Sequence, residues 1–158
     1  MLKYDLDSAT TTEMLGAQLA ATLISGCIVY LSGDLGAGKT TLVRGLAHAL
    51  GHHGTVKSPT FTLVEPYQIG PWRLFHWDLY RLTDPEELEF LGLRDQLDGQ
   101  AVLLIEWPEH GHGELPAADL KIALRYAGTG RVCQLMAVST TGQRMLANLV
   151  TENPPPAS

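Results

Sequence analysis

The sequence predicts an α/β fold: a mainly parallel central sheet flanked by helices, with an antiparallel hairpin near the C-terminus. Three observations predict it. Cys27–Leu31 and Ala101–Ile105 are short, continuously apolar runs, the pattern of strands buried on both faces of a parallel sheet. The first run leads into a glycine-rich loop and then a helical pattern. Leu120–Tyr126 and Val132–Val138 instead alternate apolar with polar or small residues, and Ala127-Gly128-Thr129-Gly130 joins them as a hairpin. At 158 residues the chain has the length of one domain, taken as residues 1–152. The Pro-rich ending, 153–158, is predicted to be a disordered tail.

The remaining elements follow in order. Met14, Leu15, Leu19, Leu23 and Ile24 recur at helical spacing over Thr10–Ile24, and Ser8 or Thr10 is placed to cap that helix. Lys39–Leu50 reads as a second helix, ended by Gly51. Phe61–Tyr67 and Trp72–Asp78 read as strands around a turn at Gly70-Pro71. Asp84-Pro85-Glu86-Glu87 has the cap, first-turn proline and early acids of a helix start. Glu86, Glu87 and Glu89 then form an exposed helix face. Gln143–Val150 closes the chain as a short helix.

Eleven Lys and Arg oppose seventeen Asp and Glu, a net charge of −6, and the lysines are only Lys3, Lys39, Lys57 and Lys121. A chain that grips nucleic acid by itself needs a basic face, so a small ligand or a protein partner is expected, and no DNA. Cys27 and Cys133 lie far apart in apolar runs, as buried thiols of a reducing cytoplasm do. No signal peptide is evident, and no apolar run approaches the ~20 residues that span a membrane.

Gly33-Asp34-Leu35-Gly36-Ala37-Gly38-Lys39-Thr40 satisfies G-x-x-x-x-G-K-[ST], with an apolar strand before it and a helix after it. Gly36 and Gly38 let the backbone curl, so that successive N–H groups form an anion cradle at a helix N-terminus. Lys39 can reach the β- and γ-phosphates of a nucleotide, and Thr40 can place its hydroxyl on Mg2+. The fold class thereby sharpens to a P-loop NTPase type. Such a site needs a further carboxylate. Asp78 and Glu106 each end an apolar strand at the ligand edge of a sheet. One would hold Mg2+ and the other orient the attacking water. Hydroxyls in Lys57-Ser58-Pro59-Thr60-Phe61-Thr62 could sense a γ-phosphate as switch segments do, or form an ordinary turn. Trp107-Pro108 is either a partner contact or packing. His52-His53 and His110-x-His112 lack a third spaced ligand and read as solvated loop histidines. No Asn-Lys-x-Asp guanine motif surrounds any lysine, which favours ATP.

Five segments then occur in order: the loop Gly33–Thr41, Lys57–Val64, His76-Trp77-Asp78-Leu79-Tyr80-Arg81, Asp84–Asp95 and Ile105-Glu106-Trp107-Pro108-Glu109. Together they resemble the TsaE (YjeE) family, small bacterial ATPases of tRNA threonylcarbamoyladenosine synthesis, from about Thr10 to Arg131. Trp77 stands where relatives often carry Phe or Met. The resemblance implies an ATPase that supports the TsaB–TsaD complex, is not itself the transferase, and meets tRNA only indirectly. It implies a nucleotide loop of Asp34, Gly36, Ala37, Gly38, Lys39, Thr40 and Thr41, with Thr12 and Arg131 nearby. It further implies Mg2+ on Thr40 and Glu106, Asp78 as the acid needed for hydrolysis, and Ser58, Thr60 and Trp107 facing switch or partner. No arginine lies in the loop, so hydrolysis in isolation is expected to be slow. Two other readings are a small-molecule kinase, for which Arg81 and Arg94 lie in no arginine-rich lid, and a nucleotide-gated binding module.

Overall fold

The computed structural model describes residues 1–152; the tail expected to be disordered, 153–158, lies outside them. One seven-stranded sheet organises the described residues. Its strands are β1 (Leu2–Leu6), β2 (Ile28–Gly33), β3 (Val64–Ile69), β4 (Trp72–Asp78), β5 (Val102–Glu106), β6 (Leu120–Ala127) and β7 (Gly130–Ala137), in the order β1-β7-β6-β2-β5-β4-β3. The central four, β6-β2-β5-β4, run parallel. Antiparallel pairs flank them, β6–β7 and β7–β1 on one side and β4–β3 on the other. The sheet is therefore mixed, parallel only in the middle, with antiparallel additions at both edges rather than one.

Among the described residues four α-helices accompany the sheet: α1 (Ala9–Ala20), α2 (Lys39–Leu50), the short α3 (Glu87–Phe90) and α4 (Thr140–Glu152). The two sheet faces are covered unequally. Leu15 and Leu19 of α1, Leu42 and Leu46 of α2, and Met145 and Leu149 of α4 pack with Val29, Leu31, Leu74 and Leu104 in one large core. The opposite face holds Trp77, Leu103 and Ile105 under the segment Leu79–Leu93, a smaller core. Alternation along each strand sorts the side chains: on β5, Val102 and Leu104 face the helices, and Leu103 and Ile105 face the smaller core.

Helices α1 and α2 cross almost backbone to backbone. A Cβ on Gly16 would lie 2.2 Å from the Leu42 carbonyl oxygen, and one on Gly45 would lie 2.1 Å from that of Glu13. No side chain fits between them.

The structure departs from the expected elements in five places. β1 was not expected, although Leu2-Lys3-Tyr4-Asp5-Leu6 alternates apolar and polar residues; Tyr4 and Leu6 are buried, and the strand pairs with β7. α1 starts at Ala9, where Ser8 forms a capping box with Thr11, and stops at Ala20. Its inward residues include Thr12, Leu15, Gly16 and Leu19, while Met14, assigned to the apolar stripe, is 56% exposed. The strand expected from Phe61 begins only at Val64. Before it the chain turns, with Leu63 N–H donating to the Pro59 carbonyl at 2.7 Å and Leu63 left-handed at φ 69°. The helix expected after Asp84 lasts one turn. Asp84 Oδ1 does accept from the Glu86 N–H at 3.0 Å, but the chain reverses at Gly92. The last helix is longer than expected, Thr140–Glu152.

Candidate functional site

The site forms where β2 ends and α2 begins. Gly38, the residue before α2, has φ 110°, a left-handed conformation that a side chain disfavours. No side chain caps the first N–H groups of α2. Lys39 is buried at the start of α2. Its Nζ donates to the Gly33 carbonyl and, at 3.3 Å, to that of Asp34, and it sits 4.5 Å from the centre of the Trp107 ring. The ammonium is thus folded back on its own loop. Burial pushes its pKa below the ordinary lysine value; Glu106, Asp78, Glu109 and Asp34 pull the other way.

The opposite wall comes from the ends of β4 and β5. Asp78 and Glu106 are register partners on these parallel strands, both almost fully buried. They share a face with Leu74 and Leu104, the helix face, which aims them at the start of α2. Asp78 Oδ2 accepts from Ser58 Oγ at 3.2 Å and Thr60 Oγ1 at 3.0 Å, and Oδ1 accepts from the Tyr80 N–H at 3.0 Å. Glu106 Oε2 lies 2.5 Å from Nε2 of His76, a fully buried histidine. Sequence reasoning gave His76 no role. The signal was its position two residues before Asp78, hence on the same face of β4.

Two cavities adjoin the loop. One, of about 330 Å3, is lined by Ser8, Thr12, Ala37, Gly130 and Arg131 among others. The second, of about 250 Å3, is lined by Lys39, Thr40, Ser58, Thr60, Asp78, Glu106 and Trp107. Gly36, Gly38 and Thr41 line both, so the loop is the ridge between them. The fold therefore gathers Thr12 and Arg131, far apart in sequence, on one side of the loop and both acids on the other. Arg131 stacks over Tyr126 at 4.1 Å. Asp34 lines neither cavity and contributes its carbonyl to Lys39. The second cavity offers hydroxyl and carboxylate oxygens, the donor type that suits Mg2+, which commonly takes one or two carboxylates together with phosphate and water. Among the described residues, no three His, Cys, Asp or Glu side chains cluster as a metal site.

Trp107, left-handed at φ 55°, lies between the second cavity and Tyr80 and His110, at ring-centre distances of 5.1 Å and 5.5 Å. His110 is consequently not a solvated loop histidine: its Nδ1 lies 2.8 Å from the Leu79 carbonyl, and its ring packs on Trp107. His52 is also half-buried, edge-on to Tyr67 of β3 at 5.0 Å. His53 and His112 are exposed. Trp77 is buried in the smaller core, and its indole N–H donates to Gln96 Oε1 at 2.8 Å, so the larger ring is accommodated without an orphaned donor. Phe61 stands 82% exposed in the segment whose hydroxyls hold Asp78. No helix among the described residues is long and apolar enough to cross a membrane.

The family model described as threonylcarbamoyl adenosine biosynthesis protein TsaE matches residues 6–133. The chain is 51% identical over 120 residues to the tRNA threonylcarbamoyladenosine biosynthesis protein TsaE of Haemophilus influenzae, covering 76% of each chain. It is 40% identical over 127 residues to the protein of the same name from Bacillus subtilis, covering 80% of this chain and 79% of that one. Among solved structures it is similar to Bacillus subtilis YdiB, with a TM-score of 0.84 and 31% identity over 96% of this chain and 95% of the other.

Proposed function

The chain belongs to the TsaE family of tRNA threonylcarbamoyladenosine biosynthesis, and from that membership we propose that it is a P-loop ATPase. It binds ATP with Mg2+ in the cytoplasm and supports a TsaB–TsaD complex, without being the transferase and without gripping tRNA itself. The observation that carries this reading is the second cavity. Lys39 and Thr40 at the start of α2 face two register-paired acids, Asp78 and Glu106, across it.

The division of labour follows from that geometry. The loop N–H groups and the start of α2 take the phosphates, with the rest of the nucleotide in the first cavity beside Thr12 and Arg131. Lys39 must leave the Gly33 and Asp34 carbonyls to reach a phosphate, exchanging two neutral acceptors for an anionic one. Mg2+ neutralises charge on the β- and γ-phosphates when bound; the Thr40 hydroxyl and the Glu106 carboxylate would hold it. Asp78 is left to hold the attacking water. Both oxygens of Asp78 are engaged, Oδ2 by two hydroxyls of the 57–62 segment, so the acid's position follows that segment's. A partner that moves the segment moves the acid, which supports slow turnover alone and faster turnover in the complex. The same coupling favours the nucleotide-gated binding module as second reading, in which binding alone is what the partners sense.

Phosphate release from ATP, measured alone and with TsaB, TsaD and tRNA, tests the proposal. Turnover should be slow alone and change when the partners are added. A fast lone enzyme indifferent to them refutes it, and phosphate appearing on an added metabolite makes the protein a kinase. Full support of tRNA modification by a Glu106→Gln variant that binds ATP without hydrolysing it selects the gate.

A further inference from the structure

His76 lies on β4 beside Leu104 of β5 and diagonal to Glu106. It is 0% exposed. Its two nitrogens are treated unequally. Nε2 is 2.5 Å from Glu106 Oε2, whereas Nδ1 is the one buried side-chain polar atom among the described residues that lacks a hydrogen-bond partner. Buried polar atoms are almost always paired, and an imidazole kept only to fill space is more easily replaced by an apolar side chain. The bond His76 does make is directed at one oxygen of one acid. Glu106 Oε1 accepts no side-chain or backbone hydrogen bond from the described residues, and Glu106 lines the cavity that holds Thr40.

We propose that His76 is the positioning residue of the Mg2+ site: its Nε2–H anchors Glu106 Oε2, orienting the carboxylate and leaving Oε1 as the oxygen for the ion. The proposal rests on the Mg2+-ATP reading above. It also specifies a tautomer. The proton sits on Nε2, so that the partnerless Nδ1 buries a lone pair and no unsatisfied N–H. A carboxylate fixed through one oxygen pays less ordering entropy when the other meets a cation, and partners of this kind are typically worth about 10–100-fold in metal affinity.

The experiment measures ATP affinity with Mg2+ and with EDTA for the full-length wild type, His76→Leu and His76→Gln, with folding checked by circular dichroism. Wild type should bind ATP more tightly with Mg2+. His76→Leu should keep its EDTA affinity and lose about 10–100-fold of the Mg2+ enhancement. His76→Gln, whose side-chain N–H can reach the same oxygen, should recover much of it. A merely structural histidine would lower both affinities together or neither. A folded His76→Leu protein with the full Mg2+ enhancement overturns the proposal. Nitrogen NMR of the wild-type imidazole checks the premise without any variant: a proton on Nε2 and a bare Nδ1 are expected, and the reverse tautomer overturns the proposal. A wild type that binds no ATP, or binds it equally with and without Mg2+, removes the site reading itself, an outcome distinct from a normal wild type with an indifferent variant.

Discussion

The two walls of the site are built differently. The wall that carries the glycine loop, Thr12 and the start of α2 stands on the large core, where α1 and α2 touch through their backbones. The wall that carries Asp78, Ser58, Thr60 and Trp107 is joined by side-chain hydrogen bonds and ring contacts, with Trp107 packed against the smaller core. Backbone packing tolerates no small shift, since a displaced helix loses many contacts at once. Ser58 is exposed and Thr60 half-buried, so their bonds to Asp78 can be exchanged for water one at a time. Under the proposed function, the first wall would hold a nucleotide in one place, and the second would change its arrangement when a γ-phosphate or a partner arrives.

Substitutions on the two walls should therefore separate binding, chemistry and stability. The largest effect is expected for Asp78→Asn: turnover falls by about 10²–10⁴, while ATP affinity changes far less. An Asp78→Asn enzyme with wild-type turnover takes the acid out of the site. On the first wall, Lys39→Ala should weaken ATP binding by about 10–100-fold, the worth of a charged hydrogen bond, as read by calorimetry. Gly16→Ala acts on the same wall without touching ligand. It should destabilise the fold by about 1–3 kcal/mol in urea unfolding, because the new Cβ meets the Leu42 carbonyl. No loss of stability would mean that the α1–α2 crossing yields to an added methyl group. Removing both hydroxyls, Ser58→Ala with Thr60→Ala, should change turnover by only about 2–10-fold and lower urea stability by less than Gly16→Ala does; a loss as large as that of Gly16→Ala would make the second wall as structural as the first.

The smallest effect concerns the core beneath the first wall. Burial raises the Cys27 thiol to about 11 and the Cys133 thiol to about 12, against an ordinary value of 9.0. A folded-state pKa above the unfolded one adds stability that is complete below the unfolded value and is lost as pH rises toward the folded one. Thermal stability should thus decline from about pH 9 upward, and a Cys27→Ala, Cys133→Ala double variant should decline less over the same range. Equal slopes would place the alkaline loss elsewhere, as in Tyr4, whose pKa burial also raises.

Much of this arrangement was legible in the residues. The apolar runs at β2 and β5 announced buried parallel strands because no polar residue interrupts them, and the loop motif announced its own strand and helix. Asp78 and Glu106 were legible as strand-end acids. The antiparallel pair β3–β4 at the far edge was harder to place: a hairpin is readable, but which strand it joins depends on contacts distant in sequence. Phe61–Leu63 have strand-forming residues, yet the turn closed on Pro59 overrides that preference. β1 was missed because five alternating residues acquire their meaning only from the β7 edge they cover. His110 and His52 looked solvated because nothing local reveals which ring or carbonyl folds over them.

The sequence by itself determined the chemistry on offer: a G-x-x-x-x-G-K-[ST] loop, two acids at strand ends, and a net charge of −6. Those are properties of residue type and short spacing, which the chain carries whether or not it is folded. Only the tertiary structure decided that Asp78 and Glu106 stand side by side, that Thr12 and Arg131 share one cavity, and that His76 meets Glu106. Each of these is a meeting between strands or helices remote along the chain, set by sheet order, register and helix packing, and a one-residue slip in β4 or β5 would turn Asp78 and His76, or Glu106, to the other face.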